Sequence, residues 1–196
     1  MNIVSIGIPL NIENIDTDQI IPANYLKQTS KTGYGKHLFQ HMRYDESGEE
    51  KPDFILNSPV YRSAEILIAG HNFGCGSSRE HAAWALADYG FKAIISSGFA
   101  DIFKGNAYNN NILPIELPAE DISSILQLLD QSPETLIQID LQNQTVNVGN
   151  GIIQLNFAID SFKKECLLSQ LDETTYLVQL RDEITAFEQQ YKQTNA

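Results

Sequence analysis

The middle of the chain alternates short apolar runs with stretches whose apolar positions recur every three or four residues, which predicts strands alternating with helices. EILIAG (65–70) reads as a buried strand, SREHAAWALADYG (78–90) as a helix stopped by Gly90, and KAIISS (92–97) as the next strand. A weaker helix over FADIFKGNAYNNN (99–111), a strand over ILPIEL (112–117) and a helix over AEDISSILQLLDQS (119–132) continue the pattern. In the last of these Ile122, Ile125, Leu126 and Leu129 share one face. Consecutive βα units of this kind imply a sheet that is parallel there.

Beyond Pro133 the rhythm changes to a period of two. TLIQIDL (135–141), QTVNVG (144–149) and GIIQLNF (151–157) predict an antiparallel meander, with Asn150-Gly151 as the tight turn between the last two. The segment 172–193 predicts one long helix whose Leu177, Leu180, Ile184, Phe187 and Tyr191 form an apolar stripe, expected to pack on its own domain. Residues 15–54 are rich in turn formers and aromatics, and predict long loops around a short helix at 36–43; long ordered loops are often functional. The expected fold class is therefore α/β, a central partly parallel sheet flanked by helices. It divides into a main domain over 1–160 and a C-terminal helical extension over 161–196, packed on that domain or on a partner.

The formal charge of −12 argues against a nucleic-acid partner, because phosphate backbones are gripped by clustered Lys and Arg. No segment has the apolar run of a membrane span, and the first residues lack the basic start of a signal peptide, so the cytoplasm is the expected location. Cys75 and Cys166 are far apart and make neither a disulfide framework nor a metal-ligand spacing. His37 and His41 lie one helical turn apart without a third ligand nearby, which favours loop packing over metal binding.

The chemistry concentrates in GHNFGCGSSREHAAWAL (70–86). A strand that ends in glycines and reopens as a helix gathers free backbone N–H groups at one point, where an anion is favoured. Gly74 and Gly76 open conformations closed to other residues, Ser77 stands three residues before Glu80 as in a capping box, and the Arg79 fork suits a carboxylate. A Ser-capped helix with a merely solvated arginine fits the same spacing. The run matches neither the P-loop nor the dinucleotide fingerprint, so a compact anion is favoured over a nucleotide.

These residues, followed by GFKAIISSGFADIFKGNAYNNNILPIEL (90–117) and preceded by NIDTDQIIPANYL (14–26), resemble the small subunits of 3-isopropylmalate dehydratases in the aconitase superfamily. The resemblance runs in order over residues 11–117. It implies a swivelling β/β/α domain that closes over a large subunit, and a hydro-lyase that isomerises 2-isopropylmalate to 3-isopropylmalate in leucine biosynthesis only when both subunits are present. It also implies a [4Fe–4S] cluster held by three cysteines. With two distant cysteines this chain binds no such cofactor itself, which assigns the cluster to the large subunit as partner.

Carried over position by position, the resemblance makes Ser77 the alkoxide base, Ser78 and Arg79 the grip on a substrate carboxylate within a turn shaped by Gly76, and Asp18 an acidic catalytic residue that orients the base or a partner's histidine. Residues 25–29 match the stretch that discriminates substrates, with Leu26 facing the isopropyl group. Lys27 complicates the choice, since a cation there suits the extra carboxylate of homoaconitate, and citraconate- or dimethylmalate-type hydro-lyases would look nearly the same. A non-catalytic anion-binding module is the other reading. Asp16 and Thr17 are expected to form a turn, and lack the further oxygen ligands of a divalent-metal site.

Overall fold

The structure, a computed structural model, describes residues 1–26 and 30–194, with side chains through Tyr191. Among these residues the strands are β1 (Asn2–Leu10), β2 (Ile66–Ala69), β3 (Ala93–Ser96), β4 (Leu113–Glu116), β5 (Leu136–Asp140), β6 (Thr145–Val148) and β7 (Ile153–Asn156). They form one mixed sheet in the order β4-β3-β2-β1-β5-β6-β7. The helices are α1 (Thr17–Ile20), α2 (Gln40–Arg43), α3 (His81–Tyr89), α4 (Asp101–Asn109), α5 (Ala119–Gln131), α6 (Ser161–Ser169), α7 (Glu173–Gln179) and α8 (Arg181–Thr194).

β2 and β3 are buried at every position, because helices cover both faces of the parallel half. Leu67 and Ile94 enter one core with Leu86 of α3 and Phe103 of α4, while Ile66, Ile68 and Ile95 enter a second core with Ile122, Ile125 and Leu129 of α5. This is why those runs read as continuous apolar sequence. β5, β6 and β7 pair antiparallel, and the turn between β6 and β7 carries positive φ at Gly149, Asn150 and Gly151.

The sequence pattern does not announce β1. Its first half pairs antiparallel with β5 and its second half pairs parallel with β2, so one strand joins the two kinds of sheet. Gly7 and Pro9, both depleted in strands, mask the signal. Because β1 and β2 are parallel, with Leu10 opposite Ala69, the loops that leave their carboxyl ends emerge side by side. In open α/β sheets such a crevice is where ligands bind.

Two expectations need correction. The short helix at 36–43 is a 3-10 turn at Gly35–His37 and then α2, separated by Phe39 in the left-handed region at φ 51°. The C-terminal helix is two, α7 and α8, parted at Leu180, and its stripe does not pack on the domain: Phe187 is 66% and Tyr191 61% exposed. What anchors this region is α6, where Cys166 and Leu167 are buried, together with the Lys163–Glu173 ion pair. No helix among the described residues is long and apolar enough to cross a membrane.

Candidate active site

The loop after β2 is laced to its neighbours by main-chain bonds. On one side Asn14 N–H donates to His71 O at 2.8 Å, Gly74 N–H to Ile15 O at 2.8 Å, and Thr17 N–H to Cys75 O at 2.9 Å. On the other, Phe73 N–H donates to Gly98 O at 3.0 Å and Ala100 N–H to Phe73 O at 3.1 Å. The loops after β1, β2 and β3 are thus stitched together at the carboxyl ends of these parallel strands. Gly74 at φ 79° and Gly76 at φ 95° supply the turns this path needs.

Ser77, Arg79 and Asp18 meet there. Arg79 donates from Nε to Ser77 Oγ at 2.7 Å and from its terminal nitrogen to an Asp18 carboxylate oxygen at 2.6 Å. Ser77 N–H donates to Thr17 Oγ1 at 3.1 Å, and Thr17 is 4% exposed. α1 is a single turn held by a reciprocal capping box: Gln19 N–H donates to Asp16 at 2.7 Å, and Asp16 N–H donates to the Gln19 side chain at 2.9 Å. The expectation that Asp16 and Thr17 form a turn is met, with Thr17 reaching further than the sequence suggested.

The helix-capping expectation fails. α3 starts at His81 with Glu80 at its N-cap, and no side chain caps it. Ser77, Ser78 and Arg79 precede the helix in a non-helical segment, so the cation facing Ser77 is the Arg79 guanidinium rather than a capped helix end. Ser78 is exposed, and its carbonyl oxygen accepts from Asn106 Nδ2 of α4 at 3.3 Å. Asn110, one turn later, donates to Asn106 O at 2.8 Å and to Glu80 at 2.7 Å; Lys31 lies 3.5 Å from the same Glu80 oxygen. No spacing marks Thr17, Lys31, Asn106 or Asn110 as site residues, although three of them lie in stretches that carry the resemblance, because each reaches residues 77–80 from a distant part of the sequence.

The remaining candidates are placed differently. Gly76 is exposed beside Ser77, where a Cβ would lie 3.5 Å from Thr17 Oγ1. Leu26 is half-buried after the 3-10 turn at Ala23–Tyr25 and packs on the first core. Lys27 lies outside the described residues. His81 packs on Trp84 and Tyr34, with ring centroids at 4.4 and 5.6 Å. Tyr25 stacks on His37 at 3.8 Å.

A protonated arginine donating to a serine oxygen stabilises the alkoxide form, since the guanidinium keeps its charge at any ordinary pH. Its other N–H groups remain to receive a carboxylate. A cavity of about 420 Å³ lies toward the opposite end of β1, lined in part by Met1, Ile3, Lys92 and Leu167, and brings no comparable base and cation together. Among the described residues no group of three or more His, Cys, Asp and Glu is arranged to hold a metal. Cys75 is half-buried beside the serine loop and Cys166 is buried in α6, so this chain's thiolates do not fit an iron–sulfur cluster.

Comparison with known proteins bears on this arrangement. Residues 2–120 match the family model of the aconitase C-terminal domain. The chain is similar to a 3-isopropylmalate dehydratase small subunit from Cytophaga hutchinsonii, 46% identical over 98% of this chain and 95% of that protein. It is similar also to the one from Ruegeria pomeroyi, 48% identical over 97% of this chain and 94% of that protein. A crystal structure of 3-isopropylmalate dehydratase from Methanocaldococcus jannaschii superposes with a TM-score of 0.68 at 26% identity, covering 96% of this chain and 99% of that one.

Proposed function

Since the chain belongs to the family of 3-isopropylmalate dehydratase small subunits, within the aconitase superfamily, we propose that it supplies the base and the carboxylate grip for interconverting 2- and 3-isopropylmalate. The observation that carries the reading is the 2.7 Å hydrogen bond from Arg79 Nε to Ser77 Oγ. A serine hydroxyl is a poor base in water. A fixed cation at hydrogen-bond distance lowers the energy of its alkoxide, and this stabilisation is strongest once a closing partner excludes water.

Asp18 holds the guanidinium in the orientation that faces Ser77. The remaining guanidinium N–H groups take a substrate carboxylate while Asp18 stays in place. Ser78, exposed beside Arg79, offers a second hydroxyl to the same carboxylate. Ser77 then takes the proton next to a carboxylate and returns it on rehydration. Expulsion and return of hydroxide would need a Lewis acid, which an iron–sulfur cluster on a large subunit would supply, because the residues of this chain do not fit one.

The open position of the site agrees with a shared centre: Asp18, Gly76 and Ser78 are all exposed at the carboxyl end of the parallel strands. Purification with an aconitase-like large subunit, followed by the absorbance of the unsaturated dicarboxylate intermediate across a panel of alkyl-malates, tests the reading. Ser77→Ala should lower kcat by about 10²–10⁴-fold without dissociating the complex. Full turnover by the isolated chain, or near-normal kcat in S77A, would overturn it.

A further inference from the structure

We infer that Thr17 is a positioning residue for Ser77, an assignment that rests on Ser77 being the base. Ser77 follows two glycines in the left-handed region, and Arg79 holds its Oγ from Nε and, at 3.4 Å, from its main-chain N–H, so the freedom left is that of the main chain carrying Ser77. Thr17 removes that freedom from outside. Its main-chain N–H donates to Cys75 O, and its Oγ1 accepts from Ser77 N–H, so one residue clasps two loop positions that flank Gly76.

The next residue, Asp18, holds the far end of Arg79. One helical turn therefore fixes both the serine main chain and the guanidinium, and so sets the 2.7 Å approach between them. The turn is stiffened by the Asp16–Gln19 capping box and by the burial of Thr17 and Ile20. Loosening of about 1 Å at a reacting group can cost on the order of 10²-fold in rate, which gives a single hydroxyl acceptor this much leverage. Ser77 is only half-buried, so water can satisfy its N–H if Thr17 Oγ1 is removed. Stability then changes little while geometry changes a good deal.

The test compares Thr17→Val, Thr17→Ser and Ser77→Ala in the complex with the large subunit, together with amide exchange at Ser77 in the full-length chain. T17V keeps the shape of the side chain and loses the acceptor. Its kcat should fall about 30-fold with KM within about threefold, while T17S should keep kcat within about threefold. The Ser77 amide should be protected in wild type and T17S and exchange faster in T17V.

Normal kcat in T17V, equal losses in T17V and T17S, or an unprotected Ser77 amide in wild type would each overturn the assignment. If T17V does not assemble, T17S and the wild-type exchange rate decide the matter. An inactive S77A beside a fully active T17V would remove the role of Thr17 alone. A fully active S77A would remove the base reading itself.

Discussion

Asn110 donates from Nδ2 to Glu80 Oε1 at 2.7 Å, tying the residue that ends α4 to the N-cap of α3, just past the serine loop. Glu80 also lies 3.5 Å from Lys31 Nζ. Burial works against charge on this carboxyl, but the Asn110 hydrogen bond and the Lys31 ammonium outweigh it, and the group titrates below its ordinary value of 4.5. Between the two values the unfolded chain binds more protons than the folded one. The stabilisation is thus fully present above 4.5 and is lost as pH falls through the lower folded value. Urea titrations of wild type and Glu80→Gln across this acid range should show a shallower pH dependence in the variant; parallel curves would remove Glu80 from acid stability.

The two-armed grip of Arg79 predicts that its charge alone will not serve. Arg79→Lys has no planar fork to reach both Ser77 Oγ and Asp18, and kcat/KM should fall by about 10²-fold or more. Asp18→Asn removes a weak surface pair, so the melting temperature should move by no more than about 4 °C while kcat/KM falls about tenfold. Steady-state kinetics and a thermal melt on the same preparations check both.

Gly74 and Gly105 should respond in opposite directions to alanine. Gly74 sits at φ 79°, and a Cβ there would overlap the Phe103 ring, so Gly74→Ala should cost about 3 kcal/mol or more. Gly105 lies inside α4 with open space where its Cβ would be, so Gly105→Ala should stabilise by about 0.5–1 kcal/mol. Denaturant midpoints at constant slope read both effects.

The C-terminal helices make a similar contrast. Leu167 is 2% exposed, and Leu167→Ala should destabilise the chain by about 2–5 kcal/mol. Phe187, at 66% exposed, should tolerate alanine within about 0.5 kcal/mol. A large loss of monomer stability in F187A would mean that the stripe packs on its own domain after all.

Much of the fold was legible because local pattern and tertiary environment agree. Ile66–Ala69 and Ala93–Ser96 read as buried strands since both of their faces are covered, and the meander read as alternation since its strands are covered unequally. β1 was lost because Gly7 and Pro9 interrupt its pattern, although it forms the middle of the sheet. Ser77 and Arg79 stood out through their glycine-rich setting. Thr17 and Asn110 did not, although both lie in stretches that carry the resemblance, because the groups they bond are distant in sequence.

By itself the sequence determined the kinds of element in the middle and later chain, the turn chemistry and the serine–arginine motif. Each of these depends on neighbours within a few residues, where period, propensity and backbone freedom act. Only the tertiary structure decided that Thr17 and Asp18 grip the two ends of that motif, that no serine caps α3, and that the C-terminal stripe faces outward. The first of these depends on which strand ends lie side by side: parallel pairing of β1 with β2 brings residues some sixty positions apart into hydrogen-bond range.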